Sequence, residues 1–229
     1  MASIKWNEPG TRKFETGVDR CVLYSLDGLP VAWNGVTQIT EKTEGASVTP
    51  KYIDGVKFIE TRVYGDFAAT IEAFSAPREF GNHDGTAYDV QGIGFGLQPV
   101  KPFHFSYRTL VGDDSSQDNT NYRIHVIFKA FAQPSDRDYA TISSDISLTT
   151  FSWDITTIPS RVVGRRPTSH LIFDSRVLPP ATMSFVEDHI YGGEGELGRL
   201  TTMQALVDDV TNFQSNLTGI FTPNFGQYF

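Results

Sequence analysis

Residues 65–80 read GDFAATIEAFSAPREF, and the regular alternation of side chains in this stretch decides the fold class. The apolar members of one face are Phe67, Ala69, Ile71 and Ala73. The members of the opposite face are Ala68, Thr70, Glu72 and Phe74. A period of two predicts a β-strand with one buried face, and Pro77 predicts where the strand ends. The second face contains one carboxylate, small residues and an aromatic ring, and this composition is unusual for a face exposed only to water.

Strand patterns continue on both sides of this stretch and dominate residues 19–174. Tight reversals are predicted at Asn34-Gly35 and Asp54-Gly55, because these dipeptides supply the positive φ angles of hairpin turns. The chain is therefore predicted to be mainly β. The other predicted strands are residues 21–26, 36–42, 56–64, 103–111, 122–132, 146–158 and 170–175.

The C-terminal quarter changes from the strand period to a helical one. Pro180 suits the first turn of a helix that Gly192 would end. A second helix is predicted after Thr201 or Thr202, where Met203, Leu206 and Val210 recur at helical spacing. We expect one integrated domain with an N-terminal arm at 1–18, a β core at 19–175, and a helical segment with a C-terminal arm at 176–229.

Charge and cysteine content argue against several classes of protein. The 229 residues carry a formal net charge of −8, whereas binding to a nucleic-acid backbone needs clustered Lys and Arg. Cys21 is the single cysteine, so no intramolecular disulfide can form. The N-terminal residues resemble no signal peptide, and no apolar run is long enough to span a bilayer. Membrane insertion is therefore not expected.

Few residues suggest chemistry. The five histidines are not at metal-ligand spacing and no nucleophile motif occurs, so we predict no enzyme, no metal and no cofactor. Glu60 and Glu72 lie on neighbouring predicted strands, which leaves open a glycosidase-like carboxylate pair. Two unrelated acids on a sheet are the more ordinary interpretation.

Five segments stand out together along the chain. They are GVDRCVLYSLDGLPVAWNGVTQITEK, YIDGVKFIE, DFAATIEAFSAPREF, RDYATISSDISLTTFSWDITTIP and PTSHLIFDSRVLPPATMSFVEDHIYG. In this order they resemble the major tail protein of long-tailed, non-contractile bacteriophages, particularly those of actinobacterial hosts. The resemblance extends over about residues 17–191.

The resemblance implies a β-sandwich or partly rolled barrel of the phage tail tube type with a flanking α-helix, to which this chain adds two C-terminal helices. It implies that six copies form a ring and that rings stack helically into a hollow conduit for genome delivery. The implied partners are other copies of the chain, a tape-measure protein, tail terminator and distal tail proteins, and double-stranded DNA that passes without sticking. The implied location is the virion tail, after assembly in the host cytoplasm.

The same resemblance implies where subunits meet. In the family, the long loop between the second and third strands reaches a neighbouring ring. Here that loop would be residues 43–55. Its candidate contact residues are Thr49, Pro50, Tyr52, Asp54 and Gly55.

Acidic residues that line the bore of such a tube would repel phosphate and let DNA slide. The candidate lumen-facing acids are Glu41, Glu60 and Glu72. Alternatively, these acids face the outer water or form salt bridges between subunits. The alternative function is a non-catalytic β-sandwich binding module, such as a tail accessory or capsid decoration protein.

Overall fold

The computed structural model describes residues 6–26, 29–90, 92–134, 139, 141, 148–193 and 195–220. Strands dominate this part of the chain, so the predicted mainly β fold class is confirmed. The strands are β1 (Lys13–Ser25), β2 (Pro30–Ala32), β3 (Val36–Glu44), β4 (Ser47–Ile53), β5 (Val56–Val63), β6 (Asp66–Ala73), β7 (Ala87–Val90), β8 (Ile93–Phe95), β9 (Phe103–Asp113), β10 (Ser116–Pro134), β11 (Phe151–Thr157) and β12 (His170–Asp174). The helices are α1 (Gly81–Asp84), α2 (Pro180–Tyr191) and α3 (Met203–Ile220), and a 3-10 turn spans Arg78–Phe80.

One antiparallel sheet of eight strands organises the fold. Seven strands follow the order β2-β1-β9-β10-β11-β6-β3, and the eighth, β12, pairs with β10 outside this order. The long strand β10 has two partners along one edge: β12 pairs with its residues 123–127 and β11 with its residues 130–134. The remaining strands form two separate ribbons, β4 with β5 and β7 with β8.

The sheet rolls up on itself, and irregular pairing explains how. β1 shifts register against β9 between Thr16 and Val22, and β10 shifts between Ile127 and Ala130. Such bulges bend a strand and increase its twist. As a result the last strand of the order, β3, returns to β9, where Tyr107 Oη donates to Glu41 Oε1 at 2.6 Å. The architecture is a partly rolled barrel.

The inside of the roll is an aromatic core. Trp33 packs against Phe80 and Trp153, with ring centroids 4.4 and 5.5 Å apart. Phe80 comes from the 3-10 turn just after Pro77. β6 ends earlier than predicted, at Ala73 and not at Pro77. Ala69, Ile71 and Ala73 of β6 are buried in this core. The buried face predicted from residues 65–80 is therefore present in the structure.

A second core lies on the outer face of β1, β9, β10 and β12, under the two C-terminal helices. Val126 and Phe128 of β10 pack there with Val186 of α2 and Leu206 of α3. Tyr24 Oη ties the layers together by donating to the Ile190 carbonyl at 2.7 Å. Both helices were predicted, and α2 begins at Pro180 and ends before Gly192, whose φ is 95°. None of the helices in the described part of the chain is long and apolar enough to cross a membrane.

Three further segments differ from the prediction. Residues 47–53, predicted as part of a loop, form strand β4, which pairs with β5 across the Asp54-Gly55 turn. The turn itself was predicted, and both residues have positive φ, 51° and 80°. Pro50 suggested a loop, but β4 pairs on one edge only, and an edge strand tolerates proline.

At the N-terminus, β1 begins at Lys13, so residues 13–16 of the predicted arm pair with β9. In the C-terminal half, β11 begins at Phe151, whereas the predicted strand began at residue 146. Residues 142–147 and the end of the predicted C-terminal arm, 221–229, lie outside the described residues.

Candidate functional site

The hairpin formed by β4 and β5, which we call the arm, is exposed almost throughout. Every β4 residue is exposed, and in β5 only Glu60 is half-buried. Eight large apolar side chains of the arm and its base are 53–71% exposed. They are Val48, Tyr52, Ile53, Val56, Phe58, Ile59, Val63 and Tyr64. So many exposed apolar side chains on one hairpin indicate a contact with a partner, and an isolated two-stranded hairpin is only marginally stable in water.

The predicted contact residues all lie on the arm. Thr49, Pro50 and Tyr52 are in β4, and Asp54 and Gly55 form the turn at its tip. Their role in contacts between subunits stays a prediction.

The base of the arm is a close crossing of backbones. A Cβ at Gly65 would lie 2.3 Å from the carbonyl oxygen of Glu44 and 2.9 Å from the amide nitrogen of Ala46, so only glycine allows this approach. Next to it, the guanidinium of Arg166 lies 3.3 Å from the centroid of the Tyr64 ring. These contacts hold the base of the arm against the barrel.

The outer face of β11, β6 and β3 is a polar surface, which we call the open face. Asp154 accepts hydrogen bonds there from Thr70 at 2.7 Å and from Lys42 at 3.1 Å. These two donors lower the pKa of the Asp154 carboxyl. Glu72 lies on the same face, half-buried between its register partners Gln38 and Ser152.

The three candidate lumen-facing acids lie in three different places. Glu72 is on the open face. Glu60 is on the arm, where hydrogen bonds from Lys57 and Arg62 lower the pKa of its carboxyl. Glu41 is on the opposite side of β3 from Lys42 and points to the inside of the roll, toward Tyr107. That any of them lines a lumen stays a prediction.

Glu60 and Glu72 were predicted to lie on neighbouring strands, and this prediction is wrong. β5 pairs with β4 alone, whereas β6 pairs with β3 and β11. The two acids therefore lie on different sheets, because the chain turns away from the barrel to make the arm before it returns in β6.

A polar cluster fills one end of the roll around Glu41, and we call it the mouth cluster. His125 of β10 stacks on Tyr107 with ring centroids 4.6 Å apart. Its Nδ1 lies 3.1 Å from His170 Nε2 and 3.4 Å from Glu41 Oε1. The members of the cluster are Glu15, Glu41, Tyr107, Thr109, His125 and His170.

Sequence spacing missed this grouping. His125 and His170 are 45 residues apart, and it is the pairing of β10 with β12 that brings them together. Burial lowers the pKa of both imidazoles, that of His170 to about 4. Among the described residues, Glu41, His125 and His170 form a group that could hold a metal ion, with one donor atom from each within 4.8 Å of the others.

No family model and no curated protein matches this chain. Similar solved structures include a chain of the anti-feeding prophage baseplate, with 7% identity and a TM-score of 0.34 over 76% of this chain and 97% of that one. A chain of the anti-feeding prophage cap has 10% identity and a TM-score of 0.35 over 76% and 96%. A chain of the sheath-tube complex of an extracellular contractile injection system has 11% identity and a TM-score of 0.34 over 68% and 88%. TM-scores this low do not establish a shared fold.

Proposed function

We propose that this chain is a structural, non-catalytic subunit of a phage tail tube. Six copies form a ring, and rings stack helically around a tape-measure protein into a hollow conduit for the genome. The observation that carries the proposal is the arm, whose eight exposed apolar side chains need a partner surface. The ring of six and the tape-measure protein come from the sequence resemblance.

The arm suits contact between stacked rings. It follows β3 after a two-residue bend at Gly45 and leads into β6 through Tyr64 and Gly65, so its position is tied to the barrel at both ends. Its unpaired strand edges can add to a sheet of another copy, which would cover both the edge and the apolar side chains. The residues that would meet the next ring include Thr49, Pro50, Tyr52, Asp54 and Gly55.

The open face suits the bore. The outer surface of β1, β9, β10 and β12 is covered by α2 and α3, whereas Thr40, Lys42 and Asp154 on the open face are exposed. Placing the helices outside and the open face inside gives a bore lined by Thr40, by the ion pair of Lys42 with Asp154, and by Glu72. A carboxylate there repels phosphate, so DNA passes without adhering.

The assembled protein would belong to the virion tail, with subunits made and joined in the host cytoplasm. Its further partners would be the tail terminator and the distal tail proteins at the two ends of the tube. None of these contacts requires a cofactor.

The test is assembly of the purified, untagged chain. A concentration series viewed by negative-stain electron microscopy should give rings and tubes of uniform width. A chain that stays monomeric at every concentration, and that is absent from tails of the particles that encode it, contradicts the proposal. Glycan binding by such a monomer would favour a binding module instead.

A further inference from the structure

We propose that the mouth cluster is a zinc site, with Glu41, His125 and His170 as the protein ligands. Each residue offers one donor atom, and these atoms lie within 4.8 Å of one another. Imidazole nitrogen and carboxylate oxygen are ligands that zinc prefers. The proposal holds whether or not the chain forms tubes.

The spacing of the donors fits tetrahedral zinc. Bonds of about 2.0–2.2 Å at tetrahedral angles place neighbouring donors roughly 3.3 Å apart. The Nδ1 of His125 lies 3.1 Å from His170 Nε2 and 3.4 Å from Glu41 Oε1. The third pair of donor atoms, from Glu41 and His170, lies within 4.8 Å, so the three groups can close around an ion.

A hydrogen-bond chain behind His125 sets its tautomer. Thr109 Oγ1 lies 3.2 Å from His125 Nε2, and its hydroxyl donates to Glu15 Oε1 at 2.5 Å. Because that hydroxyl proton is used on Glu15, Thr109 accepts from the Nε2–H of His125. The lone pair of Nδ1 then faces Glu41 and His170, as a metal ligand requires.

Glu41 has a supporting partner of the same kind. Tyr107 Oη donates to Glu41 Oε1 at 2.6 Å, and the Tyr107 ring lies parallel to the His125 ring at an interplanar angle of 7°. Outer partners that hold metal ligands in orientation are typical of metal sites. Two of the three proposed ligands are thus held by neighbours that are not ligands themselves.

The charge balance also calls for a cation. The unprotonated Nδ1 of His125 accepts a hydrogen bond from the Nε2–H of His170 at 3.1 Å and lies 3.4 Å from a carboxylate oxygen of Glu41. An ion that replaces this proton between the two imidazoles meets three donor atoms. Nearby, Arg123 is occupied with Glu15 and Asp174. A divalent ion would provide the missing positive charge.

Such an ion would link the strands that close the barrel. Its ligands come from β3, β10 and β12, and β3 is the end strand of the sheet order. Glu41 is on the same strand as Glu44, the last residue of β3 before the arm. Because the Glu41 side chain is 44% exposed, a fourth position is open to water. The ion would therefore stabilise both the barrel closure and the base of the arm.

The test uses the untagged full chain, freed of metal with a chelator and then dialysed. Titration with Co²⁺ should give the visible absorption of a tetrahedral ion and saturate at one equivalent, and Zn²⁺ should displace the Co²⁺ and raise the Tm. Glu41→Gln and His170→Gln should each weaken Zn²⁺ binding by at least roughly tenfold. Glu44→Gln makes the same charge change on the same strand and should bind like the parent chain.

X-ray absorption of the zinc-loaded parent chain needs no variant and covers the case in which a substitution prevents folding. It should show two imidazole nitrogens at about 2.0 Å. A parent chain that neither takes up Zn²⁺ nor gains in Tm overturns the proposal. So does a zinc ion without two imidazole ligands, or equal affinity in His170→Gln and Glu44→Gln.

Discussion

The Nδ1 of His104 accepts a hydrogen bond from the backbone N–H of Lys129 at 3.0 Å. Lys129 has a φ of 50° and lies in the bulge where β10 shifts register between Ile127 and Ala130. The bulge removes this amide from the sheet ladder, and His104 of the neighbouring strand satisfies it instead. A side chain of β9 thus supports the bend that rolls the sheet.

Replacing His104 by alanine should lower the free energy of unfolding by about 2 kcal/mol, because it leaves the Lys129 amide without an acceptor. Urea denaturation followed by circular dichroism measures the change. His104→Asn is the matched control, since its Oδ1 can replace Nδ1, and it should lose clearly less stability. Equal losses in the two variants would show that the hydrogen bond is not what His104 contributes.

Stability should fall as the pH is lowered from about 6.5 to 4. Burial lowers the pKa of His104 and of His170, each to about 4. In the unfolded chain both imidazoles have a pKa near 6.5. Between pH 4 and 6.5 the unfolded state therefore binds more protons than the folded state, so lowering the pH favours unfolding. The stabilisation is complete above about pH 6.5 and lost toward pH 4, and His104 alone contributes on the order of 3 kcal/mol.

Urea denaturation at several pH values, with a chelator present, measures this dependence. His104→Asn should reduce the slope between pH 6.5 and 4 while leaving the contribution of His170. Hydrogen bonds lower the pKa of Asp174, so that carboxyl titrates below this window. A free energy of unfolding that is flat across the window would contradict the assigned neutral histidines.

Phe58→Asp should abolish assembly and leave the fold of the subunit intact. Phe58 is 71% exposed on the arm, so a charge there costs the isolated subunit little, within about 0.5 kcal/mol, but disrupts an apolar contact between copies. Sedimentation and negative-stain microscopy measure assembly. Val177→Asp is the control, because Val177 is 80% exposed outside the arm. Tubes formed by Phe58→Asp as readily as by the control would exclude the arm as the contact.

Glu72→Lys should still allow tubes to form but should make them retain DNA. If the open face lines the bore, a lysine at this position attracts the phosphates that Glu72 repels. Labelled duplex DNA should bind the variant tubes at low salt and be released at high salt. Asp209→Lys makes the same charge change on the exposed side of α3 and should have no such effect inside the tube. Normal ejection of DNA from virions that carry Glu72→Lys would show that Glu72 does not line the bore.

The sequence predicted those elements that have a buried face and distinct ends. The alternation at Phe67, Ala69 and Ile71 arises because that side of β6 packs in the core, and Pro180 and Gly192 mark the ends of α2. β4 was missed for the complementary reason. All of its residues are exposed, so its sequence shows no alternation of apolar and polar residues that would predict a strand. Pro50 also argues against a strand at this position.

The mouth cluster could not be predicted because its members meet only through strand pairing and rolling. His125 and His170 depend on the β10–β12 register, and Glu41 reaches them only because β3 returns across the barrel. Composition identifies five histidines and many acids, but not which of them share a space. For the same reason the sequence could not separate Glu41, Glu60 and Glu72, which lie in three different places.

Two opposing forces act between free subunits, one from the arm and one from the net charge. Its apolar side chains attract another copy only at contact, whereas the net charge of −8 repels a copy over a Debye length, about 8 Å at physiological ionic strength. Repulsion at long range and attraction at short range create a barrier to the first encounter between two free subunits. Under the proposed function, subunits would stay dispersed until a nucleus presents several acceptor surfaces at once. Polymerisation would then begin after a lag, and added salt would shorten that lag.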